Sequence, residues 1–156
     1  MKPKAIICDI DGTIADLTHR LHYVKRPNKD KDYKSFYAEL SKDKPKKDVI
    51  DIIEYLLTGF QIIFITGRPE EYREITKDWI LLNVYCYDLD GLEFKLFMAP
   101  EGNRRPDTEI KKEIYEKEIK PYYDVVAVFD DCQRVVDMWR ELGLTCFQVD
   151  KWKEFK

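Results

Sequence analysis

Five apolar segments of strand length, alternating with segments of helical periodicity, constrain the fold of this 156-residue chain most strongly. The apolar segments are KAIICDI, QIIFIT, LEFKLFM, YDVVAVF and LTCFQV. The first two are continuous apolar runs, typical of strands that are buried on both faces of a parallel sheet. Strands that alternate with helices form parallel sheets with both faces covered. The sequence therefore predicts one α/β domain over residues 1–156, with a Rossmann-like sheet of about five strands.

Helical spacing and residues that start or stop helices locate the segments between the strands. DYKSFYAEL and DVIDIIEYLL have apolar residues at helical intervals, and Gly59 is placed to end the second helix. A third helix is predicted to begin at Pro69 and a fourth near Pro106, because proline favours the first helical turn. A fifth, QRVVDMWREL, is followed by Gly143.

A small basic insertion is predicted after the first strand, over residues 17–45. The stretch from Arg20 to Lys47 holds ten Lys and Arg against four Asp and Glu, although the whole chain has a net charge of −3. Such a segment is a candidate surface for a polyanion, and the alternative is an ordinary solvated excursion. Its aromatic residues could stack on nucleobases or form the insertion's own small core; they are Tyr23, Tyr33, Phe36 and Tyr37.

The four cysteines indicate a reduced, cytoplasmic protein. Cys8, Cys86, Cys132 and Cys146 form no CxxC pair and have no zinc-site spacing. The amino-terminal apolar run is too short for a signal peptide, and no run is long enough to span a bilayer. No association with a membrane is expected.

Polar residues that suit phosphate chemistry follow three of the predicted strands. They are Asp9, Asp11, Gly12 and Thr13 after the first strand, Thr66, Gly67 and Arg68 after the second, and Asp130 and Asp131 after the fourth. Ligands of open α/β sheets bind at the carboxyl ends of the strands, so these residues are expected to converge. Carboxylates that lie close together repel unless a cation separates them, and an all-oxygen donor set suits Mg²⁺.

The two acids of the first group can divide catalytic labour. Asp9 and Asp11 would point the same way from an extended chain, one as nucleophile and one as general acid and base. The ordinary alternative is a turn or helix cap, which is the usual role of an Asp-Gly pair. Thr66, Arg68 and the following backbone N–H groups could bind a phosphate. Lys111 and Lys112 are candidates for a fixed positive charge, or else belong to a solvated helix face.

DIDGT, FITGR, Lys111 and VFDD, in this order, resemble the haloacid dehalogenase (HAD) superfamily of phosphotransferases. A closer resemblance is to the 3'-phosphatase domain of phage-type polynucleotide kinase–phosphatases. It rests on ADLTHRLHY, GNRRPDTEIKKEIY and VVDMWRELGLTCFQV. The resemblance implies a Mg²⁺-dependent phosphomonoesterase that removes 3'-phosphates from nucleic-acid ends through an aspartyl-phosphate.

The resemblance also implies roles for individual residues. Asp9 would take the phosphoryl group, and Asp11 would protonate the leaving hydroxyl and later activate water. Thr66 and Lys111 would bind the phosphoryl oxygens. The implied Mg²⁺ ligands are Asp9, Asp11 through its main-chain carbonyl, Asp130 and, in support, Asp131. The remaining residues expected around the substrate phosphate are Arg20, Gly67, Arg68 and Asp107.

Two alternative functions and three departures from the family pattern remain. The same chemistry could act on free 5'- or 3'-nucleotides, and a phospho-accepting, receiver-like regulator would also place acids, Thr and Lys at strand ends. Ala99, Asn103 and Cys132 stand where the family often has other residues. No GxxxxGK[ST] motif occurs in the chain, so 5'-kinase activity is not expected. The sequence predicts no particular protein partner.

A second stretch, YDLDGLEF, has the same acid spacing as DIDGT but a different context. It has Leu92 where DIDGT has threonine, and no apolar strand precedes it. Residues 88–91 are therefore predicted to form a turn.

Overall fold

A computed structural model describes residues 1–85 and 94–151. Its main sheet has five parallel strands: β1 (Lys4–Cys8), β2 (Gln61–Pro69), β3 (Lys95–Ala99), β4 (Asp124–Asp130) and β5 (Cys146–Gln148). Their order across the sheet is β3-β2-β1-β4-β5. The predicted α/β sheet is confirmed. The strand order reverses direction between β1 and β4, and ligands of open α/β sheets bind in the crevice outside the carboxyl ends of the strands at such a point.

Helices cover both faces of the sheet, as predicted. They are α2 (Lys47–Leu56), α3 (Arg73–Asn83), α4 (Asp107–Ile114) and α5 (Gln133–Glu141), whereas α1 (Tyr33–Ala38) lies in the segment between β1 and α2. Residues of α2 and α3 pack into the apolar cluster on one face, and residues of α4 and α5 pack into the cluster on the other. A π-helical turn, Tyr115–Ile119, continues α4 toward β4.

The core alternates across β1, because successive side chains of a strand point to opposite faces. Ile6 and Cys8 pack with Trp79 of α3, whereas Ile7 packs with Trp139 of α5 on the other face. All four of these apolar residues and Cys8 are at most 2% exposed. Two such faces explain why the first apolar run is continuous in sequence.

The start of α3 differs from the prediction. The strand β2 continues through Pro69, and a 3₁₀ turn, Glu70–Tyr72, precedes the first α-helical residue, Arg73. The register between β2 and β3 shifts between Thr66 and Pro69. Pro69 is extended, with ψ of 150°, so its restricted φ serves the end of a strand rather than the start of a helix.

The segment between β1 and α2 is closed at its base by a two-stranded antiparallel ribbon. Ala15–Asp16 pairs with Lys44–Pro45. Between the two ribbon strands lie α1 and three 3₁₀ helices, Thr18–Tyr23, Asn28–Asp30 and Leu40–Lys42. Leu17, Leu21 and Phe36 form a separate small apolar cluster, with Tyr23 and Tyr37 packed against it. Much of the aromatic content of this segment is therefore local core.

Three further predictions concern cysteines, membranes and the second DxDG stretch. Cys8 and Cys146 are buried, Cys132 is partly buried, and all three are free thiols. Within residues 1–85 and 94–151, no helix is long and apolar enough to cross a bilayer. The turn predicted at residues 88–91 lies outside the described residues.

Candidate active site

The turn after β1 brings the first acidic pair to the crevice. The N–H of Asp9 donates to the carbonyl of Phe129 at 3.0 Å, which ties the end of β1 to β4. Gly12 has φ of 84°, a conformation that glycine adopts without strain. A Cβ at Gly12 would also collide with the carboxylate of Asp131. This turn thus requires glycine both for its backbone angle and for the close approach of β4.

Three buried carboxylates meet in the crevice. Asp9, Asp130 and Asp131 each offer an oxygen within 4.8 Å of the others. The Nζ atom of Lys111 lies 2.7 Å from Asp9 and 3.0 Å from Asp130. Thr13 donates its hydroxyl to Asp9 at 3.1 Å or to Asp131 at 3.2 Å. The side chains of three separate chain segments are thereby fixed against one another.

Burial and mutual repulsion dominate the electrostatics of this cluster. Burial raises the pKa of Asp9 well above its ordinary value; Lys111 opposes the shift, and Asp130 and Asp131 add to it. Burial and the Asp130 charge raise the pKa of Asp131 to about 7. Burial alone would lower the pKa of Lys111, but Asp107, Asp130 and Asp9 outweigh it, so the ammonium stays charged.

A divalent cation fits this donor set. The Lys111 ammonium pairs with Asp9 and Asp130, and Asp131 lies beside these two acids, so negative charge remains in excess when all three carboxylates are ionised. The available donors are carboxylate oxygens, the ligands that Mg²⁺ prefers. Asp9, Asp130 and Asp131 therefore form a candidate site for a divalent cation.

The side chain of Asp11 belongs to a different cluster. Its Oδ1 accepts from Arg20 and from Arg68, each at 2.6 Å. Arg20 and Arg68 also donate to Asp43 at 2.6 and 2.9 Å, which closes a ring of two cations and two anions. Burial opposes ionisation of Asp11, but Arg68 and Arg20 outweigh it and lower its pKa to about 2. Because the arginines occupy the Asp11 side chain, the prediction that Asp11 would bind Mg²⁺ through its main-chain carbonyl is compatible with this geometry.

Arg20 and Arg68 were predicted to lie around the substrate phosphate. Both are fully buried at the crevice, and both are already paired with Asp11 and Asp43. The Nη1 atom of Arg20 is buried without a hydrogen-bond partner in the described chain. Both guanidinium groups are thus occupied by carboxylates, and Asp11 is the one of these acids that follows β1.

The remaining predicted residues lie along β2 and the start of α4. Thr66 is buried and its hydroxyl accepts from the N–H of Arg68 at 3.2 Å. A Cβ on Gly67 would come 2.7 Å from Asp107, so glycine allows α4 to pack against this strand. Asp107 also pairs with Lys111 at 3.3 Å. Lys112, the other candidate lysine, is exposed on α4.

Sequence reasoning missed one member of the site, Asp43, and assigned no role to Thr13. Asp43 lies 23 residues from Arg20 and 25 from Arg68, in a segment without periodic apolar spacing. Its one sequence signal is an acid in a strongly basic stretch. Thr13 belongs to the DIDGT motif, and the structure places it between the two acid-bearing strands.

The sheet order and the site together define a class of protein. Acids at the ends of β1 and β4, a threonine in the carboxyl-terminal half of β2 and a buried lysine from α4 are the arrangement of a HAD-type phosphatase. One structural neighbour, a haloacid dehalogenase-like hydrolase from Streptococcus pneumoniae, has the same fold with a TM-score of 0.61 at 12% identity. The alignment covers 93% of this chain and 83% of that one.

Comparison with known sequences narrows the class. Residues 3–153 match the family described as the polynucleotide kinase PNKP phosphatase domain, and the chain belongs to this family. A candidate bifunctional polynucleotide kinase/RNA ligase of Autographa californica nuclear polyhedrosis virus is 33% identical over 150 residues, which are 94% of this chain and 19% of the viral protein.

A solved structure, that of the Pnkp1/Rnl/Hen1 RNA repair complex, supports the same assignment. One chain of that complex superimposes with a TM-score of 0.77 at 35% identity. The match covers 96% of this chain and 43% of that one. The present chain thus spans less than half the length of these relatives.

Proposed function

We propose that this phosphatase domain is a Mg²⁺-dependent phosphomonoesterase that removes 3'-phosphates from nucleic-acid ends, with Asp9 as the nucleophile. The observation that carries the proposal is the position of Asp9. Its carboxylate lies at the end of β1, 2.7 Å from the Lys111 ammonium group and within 4.8 Å of two further acids. A nucleophile in this position attacks a phosphoryl group whose charge the cations neutralise.

The proposed reaction has two steps, transfer of the phosphoryl group to Asp9 and hydrolysis of the aspartyl-phosphate. A divalent cation held by Asp9, Asp130 and Asp131 would favour the ionised form of Asp9 against the effect of burial. A carboxylate oxygen of Asp9 then bonds to phosphorus as the bond to the 3'-oxygen breaks, and protonated Asp11 gives that oxygen its proton. A water molecule then attacks the same phosphorus, Asp11 takes the water's proton, and the bond from Asp9 to phosphorus breaks. Phosphate leaves and both carboxyl groups return to their starting states.

Asp11 must first be protonated to act as the acid. In the structure its carboxylate is held ionised by Arg20 and Arg68, with a pKa of about 2. A phosphate dianion placed in the crevice would raise this pKa by repulsion and would compete for the same arginines. Substrate binding is therefore the event that prepares Asp11 to donate.

Other residues hold the transferred group. The Lys111 ammonium and the Thr66 hydroxyl would bind phosphoryl oxygens, together with backbone N–H groups at Gly67 and Arg68. When bound by Asp9, Asp130 and Asp131, with the carbonyl of Asp11, Mg²⁺ would supply the charge neutralisation that phosphoryl transfer requires. Asp107 would position Lys111 through their ion pair.

The substrate proposal rests on the insertion and on the relatives. We infer that residues 17–45 form a small basic cap, whose charge suits a nucleic-acid backbone. The relatives' names include an RNA ligase and an RNA repair complex. We therefore infer that the chain acts on RNA ends, beside kinase or ligase activities of a longer protein or of its partners. The free thiols support a cytoplasmic location.

The test is a substrate panel with and without Mg²⁺. It contains an RNA oligonucleotide with a 3'-phosphate, the same oligonucleotide with a 5'-phosphate, and 3'- and 5'-mononucleotides. We expect repeated Mg²⁺-dependent phosphate release, fastest from the 3'-phosphorylated oligonucleotide. Preference for mononucleotides would refute the polynucleotide assignment, and a single phosphorylation without turnover would indicate a receiver-like regulator instead.

A further inference from the structure

Three tyrosine rings form a row where the insertion meets the core. Tyr33 and Tyr37 are one helical turn apart on α1, and their rings stack with centroids 6.3 Å apart and planes 25° apart. The ring of Tyr72, in the 3₁₀ turn after β2, lies 4.9 Å from that of Tyr37. The insertion supplies two of the rings and the core supplies the third, so the row joins the two parts.

The middle ring of the row, Tyr37, is connected to Asp11 through Phe36 and Arg20. Arg20 donates to Asp11 at 2.6 Å, and its guanidinium carbon lies 4.1 Å from the centre of the Phe36 ring. Phe36 in turn meets Tyr37 edge-on, with ring centroids 5.2 Å apart. Burial and the nearby Asp11 carboxylate raise the pKa of Tyr37, as expected for a hydroxyl within the field of that acid. These contacts connect the row to the site in three steps.

The outer end of the row is open to solvent. Tyr33 is 51% exposed, whereas Phe36, the next aromatic residue on α1, is only 7% exposed. Local packing explains the burial of Phe36 and the partial burial of Tyr37. It does not explain a tyrosine that stacks on the row and leaves half of its surface in water.

Aromatic faces that lie beside cations are the usual binding surface for single-stranded nucleic acid, because every base has a face that can stack. Two of the three rings belong to the basic insertion, and Phe36 and Arg20 connect the row to Asp11, the acid proposed to protonate a leaving 3'-oxygen. We propose that the exposed ring of Tyr33, which Tyr37 and Tyr72 support from within the row, stacks on a nucleobase next to the phosphorylated end of a single strand. This inference rests on the proposed function. It assigns the aromatic row as the reason why the end of an oligonucleotide would bind in preference to a free mononucleotide.

The test measures binding rather than turnover. Fluorescence anisotropy in EDTA gives the dissociation constant for a labelled, single-stranded oligonucleotide with a 3'-phosphate. Tyr33→Ala is expected to raise this constant by about 10-fold, the usual effect of losing one stacked base. Tyr33→Phe retains the ring and should bind nearly as the wild type does.

Tyr55→Ala is the matched control. Tyr55 is 78% exposed. It lies near the end of α2, just before the amino end of β2, and therefore at the opposite edge of the sheet from the candidate site. This change should leave the dissociation constant unaltered. Thermal melting of each variant should show that Tyr33→Ala folds as stably as the wild type.

An abasic oligonucleotide separates stacking from contacts with the backbone. Removing the two bases nearest the 3'-phosphate should weaken binding to the wild type but should have little further effect on Tyr33→Ala. Equal affinities of the wild type and Tyr33→Ala, or an equal loss with intact and abasic ends, would overturn the proposal. Failure of the wild type to release phosphate would contradict the proposed function instead, since binding is read without turnover.

Discussion

At the scale of single residues, Asp9 and Asp11 show how two acids with one residue between them acquire opposite properties. Asp9 lies among other carboxylates in a buried crevice, and its pKa is raised. Asp11 faces two arginines, and its pKa is lowered to about 2. The neighbours that determine this difference come from the insertion, β2, α4 and β4.

Loss of the Asp43 carboxylate should destabilise the fold, because Asp43 pairs with both arginines of this network. Its carboxylate is fully buried and pairs with both Arg20 and Arg68. Asp43→Asn would leave two buried guanidinium groups with a single carboxylate, which we expect to lower the free energy of unfolding by about 3 kcal/mol. Urea denaturation measures the change.

Asp30→Asn is the matched control for this prediction, because Asp30 is exposed in the same insertion. Its effect should stay within about 0.5 kcal/mol. If both variants unfolded at the same urea concentration as the wild type, the buried network would not contribute to stability as argued.

At the scale of elements, the turn after β1 requires glycine at position 12 for two reasons, a left-handed backbone conformation and a lack of space for a side chain. A Cβ there would meet the Asp131 carboxylate, whereas one at Gly102, with φ of 68°, would meet nothing within 4 Å. Gly12→Ala should therefore displace Asp131 and weaken Mg²⁺ binding by about 10-fold or more, as for other changes that disturb ligand orientation.

Gly102→Ala carries a similar backbone strain without the collision, so it is the control. Titration of Mg²⁺ by isothermal calorimetry measures both affinities. Weaker binding in Gly12→Ala alone is the expected result, and equal binding by the two variants would contradict the geometric argument.

The cluster of acids at the ends of β1 and β4 also predicts how Mg²⁺ and pH together affect the stability of the fold. The pKa of Asp131 is about 7 against an ordinary 3.8, so the folded protein binds more protons than the unfolded chain between these values. Without metal, stability contributed by this group is therefore lost as pH rises from about 4 to 7. Mg²⁺ competes with these protons and should stabilise the fold more at pH 8 than at pH 5.

Thermal melting with and without saturating Mg²⁺ checks this coupling. At 100 times the dissociation constant, the metal should add about 2.7 kcal/mol at pH 8. The same increment at pH 5 would show that protons and metal do not share the carboxylates. Asp131→Asn should reduce the difference between the two pH values.

At the scale of the whole molecule, charge is divided between a basic insertion and an acidic remainder. A polymer that contacts the insertion should release counterions, so its affinity should fall steeply with salt. Between about 50 and 200 mM KCl we expect the KM of the 3'-phosphorylated oligonucleotide to rise several-fold more than the KM of a mononucleotide. Parallel salt dependences would exclude the insertion as a backbone contact.

The fold and the acid cluster could be predicted because both depend on regular features. Apolar runs such as that of β1 indicate buried strands, and strand ends place Asp9 and Asp130 at one edge. The ion pairs of Asp43 with Arg20 and Arg68, and the contact between Tyr37 and Tyr72, could not be predicted. They join distant segments of the chain through single side chains, and the periodic spacing of apolar residues carries no information about such contacts. The start of α3 was misplaced because proline suits both the first turn of a helix and the end of a strand.

The central claim, that Asp9 accepts the phosphoryl group, is tested most directly by trapping the intermediate. The protein is mixed with a 3'-phosphorylated RNA oligonucleotide and Mg²⁺, quenched, and treated with borohydride, which reduces an acyl phosphate to an alcohol. Peptide mass spectrometry should then find homoserine at position 9, aspartate still at position 11, and no conversion in Asp9→Asn. Phosphate release by Asp9→Asn at the wild-type rate, or homoserine at another position, would contradict the account.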